Sequence, residues 1–437
     1  MAPNEPPSVE PTPNHVPPPV PAEAVLDHLG RGTDVVVPLA NGEPVTVLDA
    51  MEAGADRLEG VRVHQMHALH DRPYLHGAYG DRLRHRSYFL SAITRRAFAE
   101  GGCDFVPANF SEVPSILRTL PDPLVVVAAS PPDRHGYVSF GTNADYVSSL
   151  IGRARFFVEA NSQMPRTFGR AQLHLSQAVG WCRADYPLVE VPPIEPTDLD
   201  RRIAGHVAER IPDGATIQAG IGGIPDAVME NLADHRDLGV HTELVSDGLV
   251  DLVDRGVVTG VDKVLNRLKV VTTFALGTQR VYDFIRDNAA IEFWPVSYVN
   301  NPRIIGAEPL FTSINATLEV DLLGQCTSES IGSTIYSGSG GQADFARGAM
   351  YSDGGQGFIV LRSTTSDQTK SRITAQLTPG AVVTTIKNTV DKVVTEHGVA
   401  ELWGRSYDER ARALIAVADP EFRDELETDA RRLGFMH

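Results

Sequence analysis

Glu243 lies in the run His241-Thr242-Glu243-Leu244-Val245-Ser246-Asp247-Gly248, downstream of a glycine-rich turn, Gln218-Ala219-Gly220-Ile221-Gly222-Gly223-Ile224-Pro225-Asp226. A carboxylate beside a turn of unengaged backbone N–H groups has the parts for covalent carboxylate catalysis: the carboxylate attacks a carbonyl and the N–H groups hold the resulting oxyanion. Pro225 just inside a helix start fits a helix N-terminus, whose free N–H groups can receive an anion. A second run, Ser337-Gly338-Ser339-Gly340-Gly341-Gln342-Ala343-Asp344-Phe345, lets the backbone approach a ligand closely and turn several N–H groups inward. The flanking apolar residues Ile335 and Phe345 mark it as an anchored loop. An arbitrary loop glutamate is most often a solvated surface side chain. Glu243 is set apart by these two glycine turns.

Other chemistries fail on spacing. A GxGxxG dinucleotide fingerprint starting at Gly220 would need glycine at 225, where proline stands. No GxSxG elbow occurs, and no Walker A lysine follows either glycine run. His64, His67 and His70, with His76 nearby, have neither a strand face nor a helical metal-pair spacing, and no carboxylate or cysteine completes a set. They read as structural or surface histidines. Neither a metal nor a nucleotide redox cofactor is expected.

The elements that must carry these turns follow an alternating pattern. A strand over 216–218 leads into the first glycine turn, a helix over 227–238 follows, and 238–240 enters a second strand that brings Glu243 near a strand end. In an open α/β sheet, strand ends and the turns after them converge on one crevice. Buried-strand runs are expected at 34–37, 124–127, 156–159, 269–273, 357–361 and 381–385, separated by helical stretches such as 22–29, 45–53 and 200–210. This alternation predicts mostly parallel sheets. The C-terminal stretches 408–415 and 421–433 are helical in pattern.

A chain of 437 residues exceeds one typical core, and two domains are expected. Its halves echo each other. Gly32 and Pro44 recur at nearly the same offset as Gly214 and Pro225, and Asp133-Arg134-His135-Gly136-Tyr137-Val138-Ser139 resembles Asp321-Leu322-Leu323-Gly324-Gln325-Cys326-Thr327. The expected architecture is two related open α/β domains, 23–190 and 197–437, joined by a proline-rich linker around 189–196, with the site at their interface. Residues 1–22 hold nine prolines among polar residues and are expected to form a disordered tail outside the fold.

The apolar fraction of 42% and charged fraction of 22% are ordinary for a globular protein. A net charge of −17 argues against nucleic acid and anionic membranes, which need a basic face. No apolar run reaches the ~18 residues needed to span a bilayer, and no signal-peptide pattern opens the chain. Cys103, Cys182 and Cys326 are odd in number and far apart, which fits a reducing cytoplasmic compartment.

These motifs resemble the acetyl-CoA hydrolase/transferase family, class I CoA-transferases, and most closely its 4-hydroxybutyrate CoA-transferase-like members. The carriers include Gly42-Glu43-Pro44, Phe110-Ser111-Glu112-Val113-Pro114, Ser130-Pro131-Pro132-Asp133-Arg134-His135-Gly136, the NSQMPRTFG run over 161–169, both glycine turns, and Val394-Thr395-Glu396-His397-Gly398. The resemblance implies CoA transfer from an acyl-CoA to a small carboxylic acid such as acetate. It implies Glu243 as covalent nucleophile, passing through a glutamyl–CoA thioester in a ping-pong cycle, and backbone amides at Ile221, Gly222, Gly340 and Gly341 as oxyanion hole. Gln218 and Gly220 would lie beside the acyl group, Asn315 would be a polar group near the same site, and Gly338, Gly340, Gly341 and Asp344 would contact the thioester end of CoA. Coenzyme A enters as substrate. Self-association is expected by analogy with proteins of this fold. Hydrolysis by the same glutamate, and acyl-CoA binding without turnover, are the alternative readings.

One position departs from the pattern. Members of this subgroup often carry histidine three residues before Gly-Glu-Pro, and here that residue is Leu39. The exchange favours a more apolar acyl group or an unusual acceptor over a hydroxy acid.

Overall fold

The computed structural model describes residues 16–220 and 222–437. The first half builds a seven-stranded sheet in which every pairing is parallel: Gly180–Ala184, Arg155–Asn161, Leu124–Ala129, Asp34–Val36, Val61–Gln65, Leu83–Ser87 and Asp104–Phe105, in that spatial order. Leu124–Ala129 is buried along its whole length, as the unbroken apolar run of a sheet covered on both faces requires. The second half builds a six-stranded sheet in the order Gly239–Val240, Thr216–Ala219, Thr312–Ala316, Gln356–Val360, Lys392–Thr395 and Gly398–Glu401. Only the last strand runs antiparallel. The mostly parallel α/β class is therefore as expected. Among the described residues no helix is long and apolar enough to cross a membrane.

The two echoing turns have the same geometry. Asp133 Oδ1 accepts from the N–H groups of His135 (2.8 Å) and Tyr137 (3.0 Å), and Asp321 Oδ1 from those of Leu323 (3.0 Å) and Gln325 (3.1 Å). Gly136 (φ 85°) and Gly324 (φ 90°) take the same left-handed position, which a side chain would strain.

Several expectations shift. The helix expected over 227–238 is Gly223–Asn231, beginning at the glycine turn itself because Gly222 (φ 131°) lets the chain swing directly into it. The 22–29 helix is a 3₁₀ segment, Ala22–His28. The strand expected at 381–385 does not form. Val382 and Val383 are exposed and only Thr385 bridges, to Cys326, so β-branched composition here reflects an extended loop. The strand partner of Gln356–Val360 is instead Lys392–Thr395.

The halves are tied together. Phe168–Gly169 of the first half pairs parallel with Ile291–Phe293, which pairs with Val270–Thr272. A Cβ at Gly169 would run into the Phe293 backbone, so glycine is needed for this close approach. The N–H groups of Ala144 (2.8 Å) and Asp145 (3.1 Å) both donate to the Thr273 carbonyl. The proline-rich segment expected as linker hydrogen-bonds to both halves, through Val189 with the Asn41 side chain (2.9 and 3.0 Å) and through Val191 N–H to the Gly277 carbonyl (2.9 Å).

Candidate active site

Glu243 sits just before the short strand Leu244–Val245, which pairs with Phe274–Ala275. Its carbonyl accepts three bonds: from Thr273 N–H (3.1 Å), Phe274 N–H (2.9 Å) and Thr272 Oγ1 (2.8 Å). The backbone is thereby clamped against the segment that joins the halves, so the side chain projects from a rigid base.

The half-buried Glu243 carboxylate meets two groups. Asn300 Nδ2 donates to Oε1, and Gly341 lies so close that a Cβ there would overlap both Oε1 and Asn300 Nδ2. The N–H groups of Gly340 and Gly341 have no acceptor among the described residues. They lead into the helix Gln342–Tyr351, whose first-turn N–H groups add a positive end beside the carboxylate. The Gly338–Gly341 loop rests on the first half: a Cβ at Gly338 would lie 2.7 Å from the Tyr88 carbonyl oxygen, and the Gly340 carbonyl accepts from Phe110 N–H (2.8 Å). Glu243 and the second glycine turn, far apart in sequence, thus meet where the halves join.

Burial pushes the Glu243 carboxyl up to about 7, with the Asn300 donor lowering it and the Asp344 carboxylate adding to the rise. The consequence is a pH dependence. Attack needs the ionised form, so kcat/KM, which reports the free enzyme, rises with pH and levels off above about 7. In Asn300→Ala the bond that favours the ionised form is gone, so the midpoint moves upward and activity at neutral pH falls about tenfold or more. A pH–rate profile of the two proteins checks both, and superimposable profiles would contradict the arrangement.

Asp344 stands beside the site with partners of its own. Its buried carboxylate accepts from Ser111 Oγ (2.7 Å) and Ser111 N–H (3.2 Å) and from Asn300 Nδ2 (3.4 Å), and burial raises its pKa to about 6. It thereby links Asn300 to Ser111 of the first half. Residues that the sequence left unmarked complete the site. Asn300 follows the short helix Val296–Val299, and nothing in its Tyr-Val-Asn-Asn context announces a partner for a carboxylate. His241, two residues before Glu243, donates through Nε2 to the Val299 carbonyl (2.7 Å) and so fixes the residue preceding Asn300. Burial lowers His241 to about 3, which keeps its ring neutral.

Gln218 and Asn315 stand on adjacent central strands and pair with each other, Gln218 Nε2 to Asn315 Oδ1 at 3.1 Å and Asn315 Nδ2 to Gln218 Oε1 at 3.0 Å. Gly220 donates its N–H to the Ile314 carbonyl (2.9 Å), so this glycine serves the backbone ladder and offers no free donor. A link to the nucleophile's strand runs through Thr242 Oγ1 to the Ala219 carbonyl (3.4 Å). Ile221 lies outside the described residues. Leu39 belongs to the apolar cluster that also holds Met66 and Tyr88. Its N–H donates to Asp145 Oδ2 (3.2 Å) and its carbonyl accepts from Asn143 Nδ2 (2.9 Å). Three of these histidines have partners, His64 in Tyr88 (2.7 Å) and Asp34 (2.9 Å), His70 in the buried Glu43 and His76 in Asp71, whereas the His67 ring forms no hydrogen bond among the described residues.

A clamped carboxylate beside unpaired backbone N–H groups, between two α/β halves, can attack a thioester carbonyl and hold the oxyanion that forms. That arrangement is of the class of CoA-transferases, and this chain is an enzyme of that class. It belongs to the acetyl-CoA hydrolase/transferase family: residues 20–190 match that family's N-terminal domain and residues 277–430 its C-terminal domain. The chain is 44% identical over 420 residues to succinyl-CoA:cyclohexane-1-carboxylate CoA transferase of Geobacter metallireducens, covering 95% of each protein. It is 40% identical over 416 residues to 4-hydroxybutyrate coenzyme A transferase of Clostridium kluyveri, covering 94% of this chain and 97% of that one. Among solved structures, RipA from Yersinia pestis superposes with a TM-score of 0.90 at 36% identity, over 95% of this chain and 98% of RipA.

Proposed function

We propose that the enzyme moves CoA from an acyl-CoA to a small carboxylic acid, such as acetate, by a ping-pong cycle through a thioester on Glu243. The Glu243 carboxylate attacks the acyl-CoA carbonyl, backbone N–H groups at Gly340, Gly341 and the Ile221–Gly222 turn hold the oxyanion, and CoA thiolate leaves to give an acyl–glutamyl anhydride. The thiolate then attacks the glutamyl carbonyl and expels the donor acid as carboxylate. The acceptor acid reverses the sequence: its carboxylate attacks the glutamyl–CoA carbonyl, thiolate departs, and attack on the acceptor's own carbonyl releases the new acyl-CoA and free Glu243.

The observation that carries this reading is the contact of the Glu243 carboxylate with Gly341, whose N–H, like that of Gly340, has no acceptor among the described residues. The Asn300 donor offsets part of the desolvation that the ionised nucleophile must bear. Two features support an apolar acid among the substrates: Leu39 in its apolar cluster, and the Geobacter relative named for cyclohexane-1-carboxylate. The halves act as two related domains, 23–190 and 197–437, with the site between them, and we place the enzyme in the cytoplasm.

Incubation with acyl-CoA alone, then borohydride, reduces a glutamyl thioester to the alcohol, and peptide mass spectrometry finds the change at Glu243. An unmodified Glu243 peptide after this treatment would falsify the mechanism. Acyl-CoA loss measured with and without added acids separates transfer from hydrolysis, because transfer requires the acid.

A further inference from the structure

Arg95 is held in one orientation with part of its hydrogen-bonding capacity unused. Its Nε donates to the Tyr336 carbonyl at 2.6 Å and its guanidinium carbon lies 3.6 Å from the centre of the Tyr336 ring, yet it forms no ion pair among the described residues. Its two terminal nitrogens are thus left oriented and unengaged, with the fork geometry that fits carboxylate or phosphate oxygens. Tyr336 stands two residues before Gly338, so the guanidinium is fixed to the start of the glycine loop that meets Glu243.

His67 is its neighbour on the first half. The ring is half-buried, forms no hydrogen bond among the described residues, and stands 6.2 Å from the Phe89 ring centre. Phe89 in turn flanks the loop: a Cβ at Gly338 would lie 3.2 Å from Phe89 Cδ2, and one at Gly340 3.6 Å from Cε2. Burial lowers the His67 pKa, the Glu43 carboxylate opposes this, and Arg95 is close enough to lower it further. A neutral imidazole keeps one donor and one acceptor available. His67 thus stands without a partner beside an apolar ring, and Arg95 keeps two free nitrogens beyond its bond to Tyr336, so both have hydrogen-bonding capacity to offer a ligand.

We propose that Arg95 and His67 form an anion-recognition subsite beside the glycine loop, binding oxygens of a carboxylate or phosphate of the substrate and holding that group alongside it. The assignment rests on the reading of that loop as part of the active site. The shared chemistry has two sources: the carboxylate of the acid, or the phosphates of CoA.

Calorimetric binding to the full chain, with steady-state kinetics, tests this and tells the sources apart. Removing a charge-assisted pair costs about 10–100-fold in affinity. Arg95→Met is therefore expected to weaken binding or raise KM by that factor for one class of ligand. A penalty on CoA alone assigns the 3′-phosphate, and a penalty on CoA and dephospho-CoA but not pantetheine assigns the pyrophosphate. A raised KM for the acid, with all three CoA forms bound as before, assigns the carboxylate. Arg95→Lys, which keeps the charge without the fork, recovers part of the loss. Should Arg95→Met fail to fold by its melting curve, His67→Phe makes the same measurement from the other side. Unchanged dissociation constants and KM values for every ligand overturn the proposal. CoA binding is read without turnover, so a wild-type enzyme that forms no glutamyl–CoA adduct would sink the mechanism without altering this result.

Discussion

Glu243→Gln abolishes acyl exchange, by ~10⁴-fold or more, while leaving the fold intact and acyl-CoA binding measurable. The amide is close to isosteric and its carbonyl oxygen can still accept from Asn300 Nδ2, which in the native protein donates to Oε1. What it lacks is nucleophilicity. The same change is expected to stabilise the protein. Burial raises the Glu243 carboxyl to about 7, above the value of an unfolded glutamate. For an acid shifted in this direction, folding is penalised as pH rises through the unfolded value, and the penalty is complete above about 7. Removing the ionisable group should therefore lift the melting temperature at pH 8, relieving a cost of ~1–3 kcal/mol, and the gain should vanish at acidic pH. Exchange measured with labelled acid, and melting curves at both pH values, check the two halves of this prediction. Substantial exchange by Glu243→Gln would reject Glu243 as nucleophile, and a lower melting temperature at pH 8 would reject the desolvated carboxylate.

Gly341→Ala adds only a methyl group, and it is expected to reduce turnover by ~10²–10³-fold. The new Cβ would overlap the Glu243 carboxylate and the Asn300 amide, so the side chains must move while their backbones stay in place. Glu243 is held by three bonds to its carbonyl, and Asn300 is held by Asp344 and by the helix that His241 fixes. The carboxylate must swing away from the loop N–H groups, so the nucleophile and the oxyanion donors lose their alignment. Overpacking of this kind costs ~1–3 kcal/mol of stability, so the protein remains folded. Gly340→Ala makes a useful comparison. Its Cβ would meet only Phe89 Cε2 at 3.6 Å, an ordinary contact, and its cost arises from the positive φ of 56°. The borohydride trap should fail in Gly341→Ala and persist at a reduced level in Gly340→Ala. Equal turnover by Gly341→Ala and wild type would mean that the loop does not face the nucleophile.

The parts that were legible beforehand are local. The apolar runs at 124–127 and 357–361 could only be buried strands, because unbroken β-branched and apolar stretches of that length have no exposed face. The turns at Asp133 and Asp321 were recognisable as a pair because an aspartate followed three residues later by glycine encodes its own geometry: a side-chain acceptor for two N–H groups and one left-handed residue. Where composition imitates a local rule without the burial that enforces it, the reading went astray, as at 381–385, where valines line an exposed loop.

Glycine content and a lone carboxylate marked Glu243 and Gly338–Gly341 as chemically interesting, since both signals are carried by residue type alone. Their meeting was decided by tertiary structure. So were the contact of Asp344 with Asn300, the pairing of Gln218 with Asn315, and the capture of Arg95 by Tyr336. The physical reason is range. Backbone geometry and burial pattern are set by a residue's neighbours within a few positions. A hydrogen bond between side chains 57 positions apart, such as Asn300 to Glu243, exists only once two sheets have packed and brought their loops to one edge.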